Sequence, residues 1–179
     1  MDWSPYILTA RPSKIRSLTA REGLCDRLHF IAFAERQAAR AFSEAPERYP
    51  QAPAALKDAW RWVAQEELKH ERWLLERFYE LGGRHQERSV SLDLYTSFRA
   101  CESAESFSRY MQEAERRGEV GGKVLAEKLA QQDPVTAQLL LQIALEEDQH
   151  IAMVDQYLSS TADSPNSREW RAQEKAFLL

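Results

Sequence analysis

Cysteine, glycine and proline are all scarce in this sequence, and each scarcity narrows the class of protein. Two cysteines, Cys25 and Cys101, stand among 179 residues, too few for a disulfide framework or a four-cysteine metal site. The 6 glycines and 7 prolines cluster between long periodic stretches, as expected where helices end. The sequence therefore favours a helical protein with reduced cysteines.

Long apolar runs and an excess of basic residues are also missing. No run approaches the roughly 18 apolar residues that span a bilayer, and the first residues lack the apolar stretch of a signal peptide. We therefore expect a cytoplasmic protein with no membrane partner. The net charge of -4 differs from the basic footprint of a nucleic-acid binder, so nucleic acid is not an expected partner.

Apolar periodicity and end signals predict four long helices. Thr19 and Glu22 have the spacing of a capping box, and Pro46 follows the expected end of the first helix near Glu44. Asp133 and Pro134 have the order of a cap and a first helical residue. The predicted helices cover 19–44, 53–83, 103–131 and 134–160. Three glycines should kink or split the third one: Gly118, Gly121 and Gly122.

The connections between these helices are short, long and short. The middle connection, 84–102, with a short helix near 92–100, can cross from one end of a bundle to the other. This order predicts an all-α, ferritin-like four-helix bundle with a long crossover between the second and third helices. The predicted division is an N-terminal extension 1–18, the bundle 19–160 and a C-terminal tail 161–179.

The second and fourth long helices each contain Glu-x-x-His, at Glu67–His70 and Glu147–His150. Residues three apart are neighbours on a helix, so each pair presents a carboxylate and an imidazole, which suit a first-row metal. Both pairs lie midway along the most apolar face of their helices. Glu35 lies in the same position on the first helix, upstream of Glu67. Buried acids of this kind favour a bound cation.

The third helix should supply a matching glutamate upstream of Glu147. Glu113 is the predicted one. Its interval to Glu147 is slightly longer than the interval from Glu35 to Glu67, and the glycine-rich break could absorb the two extra residues. Glu105, Glu115 and Glu119 are the alternatives.

A single Glu-x-x-His in a glutamate-rich helical protein usually marks a solvated face. Two of them, on different helices and each with an upstream core-facing glutamate, are hard to produce by chance. We therefore predict two iron ions, with manganese or a mixed pair as alternatives, and no catalytic residue beyond the ligands. The predicted ligands are Glu35, Glu67, His70, Glu113, Glu147 and His150.

At these residues the chain resembles the ferritin-like superfamily. The runs LHFIAFAERQAARAF, EELKHERWLLERFYELGG, QEAERRGEV and EEDQHIAMVDQYL are similar to an uncharacterised bacterial branch and, more distantly, to the di-iron hydroxylase that modifies a tRNA base. In that branch the third-helix glutamate precedes a helix break, and Glu113-Ala114 before Arg117-Gly118 is the corresponding place.

The departures from related groups narrow the implied function. His150 differs from true ferritins, Leu68 stands where bacterioferritins have a haem-binding methionine, and Arg116 stands where rubrerythrins have an extra glutamate. The resemblance thus implies an oxidoreductase that activates O₂ or peroxide against an organic substrate and takes electrons from a separate donor. The alternative is iron handling, as a ferroxidase or peroxide scavenger.

Several other residues carry open predictions. His29 should be structural and His85 should lie in a loop, whereas Tyr110 is either a core residue or a hydrogen-bond donor to the site. A second apolar stripe on the second helix, Leu68, Leu75 and Tyr79, predicts a homodimer built on the first two helices. The alternative cover for this stripe is the chain's own termini.

Overall fold

The computed structural model describes residues 2–161, and side chains up to residue 158. Four long helices make up most of it: α1 (Arg21–Arg48), α2 (Ala54–Glu80), α4 (Ala104–Leu129) and α5 (Pro134–Thr161), with the short α3 (Asp93–Ala100) between α2 and α4. The predicted all-α bundle with a long second connection is confirmed. No described helix is both long and apolar enough to cross a membrane.

Most of the helix ends follow the predicted signals. α2 ends in a glycine motif in which Gly82 has a φ of +79° and the amides of Gly82 and Gly83 donate to the carbonyls of Tyr79 and Phe78. This is the Schellman arrangement, which favours glycine because φ is positive. At the start of α5, the Asp133 carboxylate accepts from the Thr136 amide.

Three details of the helices were predicted wrongly. α1 has Ala20 as its N-cap with no side-chain cap, because the Thr19 hydroxyl lies 3.0 Å from that of Ser17 instead. α1 also continues through Pro46 to Arg48. α4 is one uninterrupted helix through Gly118, Gly121 and Gly122, so the predicted break does not occur.

The N-terminal segment and the crossover pack on the same side of the bundle. β1 (Ile7–Leu8) pairs in parallel with β2 (Ser89–Val90), and both Trp3 and Tyr6 are buried. Asp26 on α1 accepts hydrogen bonds from Arg16 and Arg88, which ties both segments to the bundle. Beyond Thr161, the predicted tail lies outside the described residues.

The apolar core is divided into two clusters along the bundle. One contains Phe42, Trp60, Phe98 and Phe107, and the other contains Leu28, Leu74, Phe78, Leu129 and Leu140. On α2, α4 and α5, the residues predicted as ligands fall between the members of the two clusters, and on α1 Glu35 lies close to where the clusters meet, at Ala32 and Phe33. The fold therefore places polar side chains at mid-height, where a bundle is most shielded from water.

Candidate metal centre

Two overlapping groups of carboxylates and imidazoles meet at the centre of the bundle. In each group, one ligand atom from every residue lies within 4.8 Å of the others. The first group is Glu35, Glu67, His70 and Glu147. The second is Glu67, Glu115, Glu147 and His150. Each group could hold a metal ion, and Glu67 and Glu147 belong to both.

The structure brings together five of the six predicted residues and replaces the sixth. Glu113 points away from the centre: its side chain is 68% exposed and pairs with Arg117 at 3.7 Å. Glu115 is buried and reaches the second group. The structure does not bring Glu113 to the centre, because α4 has no break and no extra residues need to be absorbed.

A signal for Glu115 was present in the sequence. Glu115 precedes Glu147 by the same interval that separates Glu35 from Glu67. The whole set Glu35, Glu67 and His70 therefore recurs at one constant offset as Glu115, Glu147 and His150. A strict repeat, without allowance for a helix break, would have selected Glu115.

The two histidines point their Nδ1 atoms into the centre. His150 Nδ1 lies 3.1 Å from Glu67 Oε1 and 3.4 Å from Glu147 Oε2. His70 Nδ1 lies 3.5 Å from Glu147 Oε1 and 3.9 Å from Glu67 Oε2. Neither Nδ1 atom has a hydrogen-bond partner in the described part of the chain, so both face a shared central space.

The outer nitrogens of the two histidines, the Nε2 atoms, have different surroundings. His70 Nε2 donates to Glu146 Oε2 at 2.7 Å, which leaves its Nδ1 as the nitrogen free to bind a metal. His150 Nε2 is buried and has no hydrogen-bond partner within the described part of the chain. The edge-on ring of Trp62 lies 5.4 Å from the His150 ring.

Burial and like charge oppose the ionisation of two carboxylates of the centre. Burial raises the pKa of Glu67, and Glu147 and Glu35 raise it further. Burial also raises the pKa of Glu35. For Glu147, burial is outweighed by the contacts with His150 and His70, which lower its pKa. Crowded buried carboxylates must take up protons or bind cations.

Unpartnered buried atoms indicate whether proton uptake or cation binding suits these residues. Both oxygens of Glu67, Oε2 of Glu147, and Nδ1 of His70 and His150 have no hydrogen-bond partner among the described residues. All of them are metal-ligand atoms, and mixed carboxylate and imidazole donors suit iron, manganese or zinc. The donor set therefore fits a metal centre.

A third acidic group nearby is already neutralised. Glu66, His70 and Glu146 also come within ligand distance of one another. Lys69 contacts Glu66 and lies 2.9 Å from Glu146 Oε2. Burial by itself would raise the pKa of Glu146, but the hydrogen bonds with Lys69 and His70 lower this pKa to about 2. This group positions His70 and needs no ion of its own.

A cavity of about 610 Å³ extends from the centre between α1 and α4. Close backbone contacts join α1 to α2 and α4 to α5, whereas those between α1 and α4 are few. Four carboxylates of the centre lie in its wall: Glu35, Glu67, Glu115 and Glu147. A molecule in this cavity would therefore reach the centre directly.

Three further predictions are resolved outside the centre. His29 is fully buried and hydrogen-bonded to His85 at 3.0 Å, so it is structural, as predicted. His85 is buried in a 3₁₀ turn, where Tyr79 reaches its Nε2 at 2.7 Å. Tyr110 packs edge-on against Phe98 and lies, partly buried, against the first apolar cluster.

Comparison with known proteins returned one family. A family model described as "Protein of unknown function (DUF455)" matches residues 4–177. No curated protein and no solved structure matches the chain.

Proposed function

Since the chain belongs to this DUF455 family of unknown function, we propose its activity from the site: a non-haem di-iron oxidoreductase that oxidises an organic substrate with O₂ or peroxide. The observation that carries the proposal is that Glu67 and Glu147 are each shared by two groups that end in different histidines. Paired ions bridged by carboxylates need this arrangement, and ferritin-like di-metal proteins have such a ligand set.

The residues divide into terminal and bridging ligands. Glu35 and His70 belong to one position, and Glu115 and His150 to the other. Glu67 and Glu147 belong to both groups and would be shared by the two ions. Four ionised carboxylates balance two divalent cations, so the filled centre is neutral and suited to burial. Zinc has no redox chemistry, so we choose iron for the proposed oxidation; manganese remains the alternative.

Bound iron would supply the redox chemistry with O₂ or peroxide. The chain's own residues hold the ligands and exclude water. Glu146 keeps the proton on His70 Nε2, and the two apolar clusters close the bundle on either side of the centre. Oxidation would thus be directed to the cavity between α1 and α4.

Hydroxylation of a C–H bond by O₂ places one oxygen atom in the product and the other in water, and consumes two electrons and two protons. The chain has 2 cysteines, fewer than an electron-transfer site of the four-cysteine type requires. We therefore propose a separate reductase or ferredoxin-like donor as a partner.

The cavity favours an organic substrate over iron handling alone. A ferroxidase or peroxide scavenger needs access only for ions and small molecules. A mostly apolar space of about 610 Å³ is within the range of sites that enclose small organic ligands. Iron handling without an organic substrate remains the second candidate.

Metal analysis of protein produced with iron and manganese both available tests this proposal. We expect two iron ions per chain and, after anaerobic reduction, an optical change on exposure to O₂. Glu115→Gln should lower the metal content, and Glu113→Gln is the matched control because it alters an exposed glutamate on the same helix. A Glu115→Gln protein with full metal content and an unchanged reaction with O₂ would contradict the proposed centre.

A further inference from the structure

The wall of the cavity between α1 and α4 has an unusual composition. Besides the four carboxylates of the centre, its polar side chains are three cations, Arg27, Arg117 and Lys128. Every other lining residue is apolar or glycine; examples are Phe30, Ile31, Leu125, Leu140 and Ile143. Since no neutral hydrogen-bonding side chain of the described residues lines the wall, it suits an apolar body rather than a sugar or a nucleobase.

The glycines of α4 indicate that this space is not needed for packing among residues 2–161. A glycine inside a helix costs about 1 kcal/mol relative to alanine, and α4 has three, Gly118, Gly121 and Gly122, all in the cavity wall. A Cβ at Gly118 or Gly121 would meet no atom within 4 Å, and one at Gly122 would make only ordinary contacts. The small side chains keep the cavity wide without serving another described element.

The cations lie on the solvent side of the cavity. Arg117 and Lys128 are exposed and Arg27 is half-buried, whereas Glu67, Glu115 and Glu147 are buried. At the helical rise, Arg27 lies about 12 Å from Glu35 along α1, and Lys128 about 20 Å from Glu115 along α4. Both therefore lie well away from the centre, separated from it by apolar wall.

We propose that this cavity binds an amphiphile with an apolar body and one anionic group, and that this class includes the substrate. The apolar body would lie toward Glu35 and Glu115, and the anion would lie near Arg27 and Lys128. The assignment as substrate rests on the proposed oxidoreductase function, whereas the binding itself does not. Charge complementarity selects the anion, since Arg27 and Lys128 would repel a cationic head and would attract a neutral head only weakly, whereas Arg117 already pairs with Glu113.

Calorimetric titration of the full-length, metal-containing protein with three ten-carbon probes tests the proposal. Decanoate should bind at one site per chain, and decan-1-ol and decyltrimethylammonium should bind at least about tenfold more weakly. Decyl phosphate separates a phosphate head from a carboxylate head; binding by either supports the shared chemistry. Equal affinity for the anionic and cationic probes, or no binding of any probe, would overturn it.

Variants test where the probe lies. Lys128→Glu should weaken the binding of decanoate roughly tenfold, since the substitution replaces an attraction with a repulsion. Arg61→Glu, at an exposed arginine outside the cavity wall, should leave binding unchanged. Gly121→Trp should abolish binding by filling the space. If decanoate binding is insensitive to Lys128→Glu but lost on metal removal, the carboxylate faces the metals and the proposed orientation is wrong.

The metal content of each sample separates this inference from the proposed function. Full metal content without probe binding would contradict the proposed amphiphile binding and would still agree with the proposed metal centre. Selective binding of decanoate by protein that never takes up metal would support amphiphile binding in the cavity and contradict the proposed oxidoreductase function.

Discussion

The two halves of the bundle, α1 with α2 and α4 with α5, carry the same ligands in different surroundings. Glu35, Glu67 and His70 in the first half recur as Glu115, Glu147 and His150 in the second, at a constant offset along the chain. The first half is covered by the N-terminal segment and the crossover. The second half presents the glycine-rich face of α4 to the cavity. The ligand set repeats, but the packing around it does not.

The cover on the first half is a buried polar and aromatic network. Tyr6 donates to Glu71 at 2.8 Å, and Arg36 pairs with the other oxygen of Glu71 at 2.6 Å. His29 stacks between Tyr6 and Phe78. This network closes one side of the bundle, so access to the centre is left to the side where α1 faces α4.

The halves also differ in how each histidine is supported. Glu146 holds His70 Nε2. The repeat-related residue is Glu66, which contacts Lys69 instead, and His150 Nε2 has no hydrogen-bond partner in residues 2–161. Hydrogen bonds to the outer nitrogen orient a ligand histidine and strengthen it as a ligand. The comparison predicts two metal positions of unequal affinity.

The largest expected effect comes from removing the histidines one at a time. His70→Ala and His150→Ala should each lose mainly one of two ions, because each histidine belongs to one of the two central groups only. Titration of metal-free protein with Fe²⁺ under anaerobic conditions measures the two affinities. Loss of both ions in both variants would show a single cooperative site.

The unequal support can be tested in the same titration. Glu146→Gln should weaken the His70 position by about 10–100-fold, the usual effect of losing such a partner. Glu76→Gln is the control, since Glu76 is an exposed glutamate of α2 that pairs with Arg72. An equal effect of the two substitutions would remove the distinction between the halves.

Acid should destabilise the buried network around His29 that packs on the first half of the bundle. Burial, and then the neighbouring His85, lower the pKa of His29 to about 4, whereas an unfolded histidine titrates near about 6.5. Between these pH values the unfolded chain binds a proton that the folded chain does not, so the free energy of unfolding falls as pH falls, by on the order of 2 kcal/mol.

Urea denaturation of wild type and His29→Phe at pH 7 and pH 5 measures this effect. The phenylalanine can occupy the same stacked position but cannot titrate, so the variant should lose less stability between the two pH values. Equal losses in both proteins would assign the acid sensitivity to other groups.

The outer face of the first half remains a predicted dimer surface. The N-terminal segment buries Trp3 and Tyr6 but leaves Leu68 42% and Tyr79 51% exposed. We expect light scattering to give twice the chain mass of 20.7 kDa, and Leu68→Lys to give a folded monomer. Leu145→Lys, at an exposed leucine on α5, is the control. A wild-type monomer would contradict the dimer.

The smallest effect concerns the open side of the second half. Gly118→Ala and Gly121→Ala should each raise the free energy of unfolding by up to about 1 kcal/mol, because alanine restricts the unfolded chain and favours the helix. Thermal unfolding measures it. Destabilisation by either substitution would mean that the wall of the cavity is closely packed after all.

Local patterns predicted most of the fold and five of the six central residues. Glu67 and His70 could be found because three residues make nearly one helical turn, which any helix must obey. Glu115 was missed because its position depends on whether α4 is continuous through three glycines. That continuity depends on the packing of α4 against α5, which glycine content alone does not reveal.

The sequence by itself determined the helices, their order and the repeat that brings two Glu-x-x-His pairs to mid-height, because these follow from periodicities within one element. Only the tertiary structure decided that Glu146 supports His70 across two helices, that residues 2–20 cover the first half, and that a cavity separates α1 from α4. These features are contacts between residues far apart in sequence. They depend on how helices dock, and docking is a property of shapes and volumes that no single segment contains.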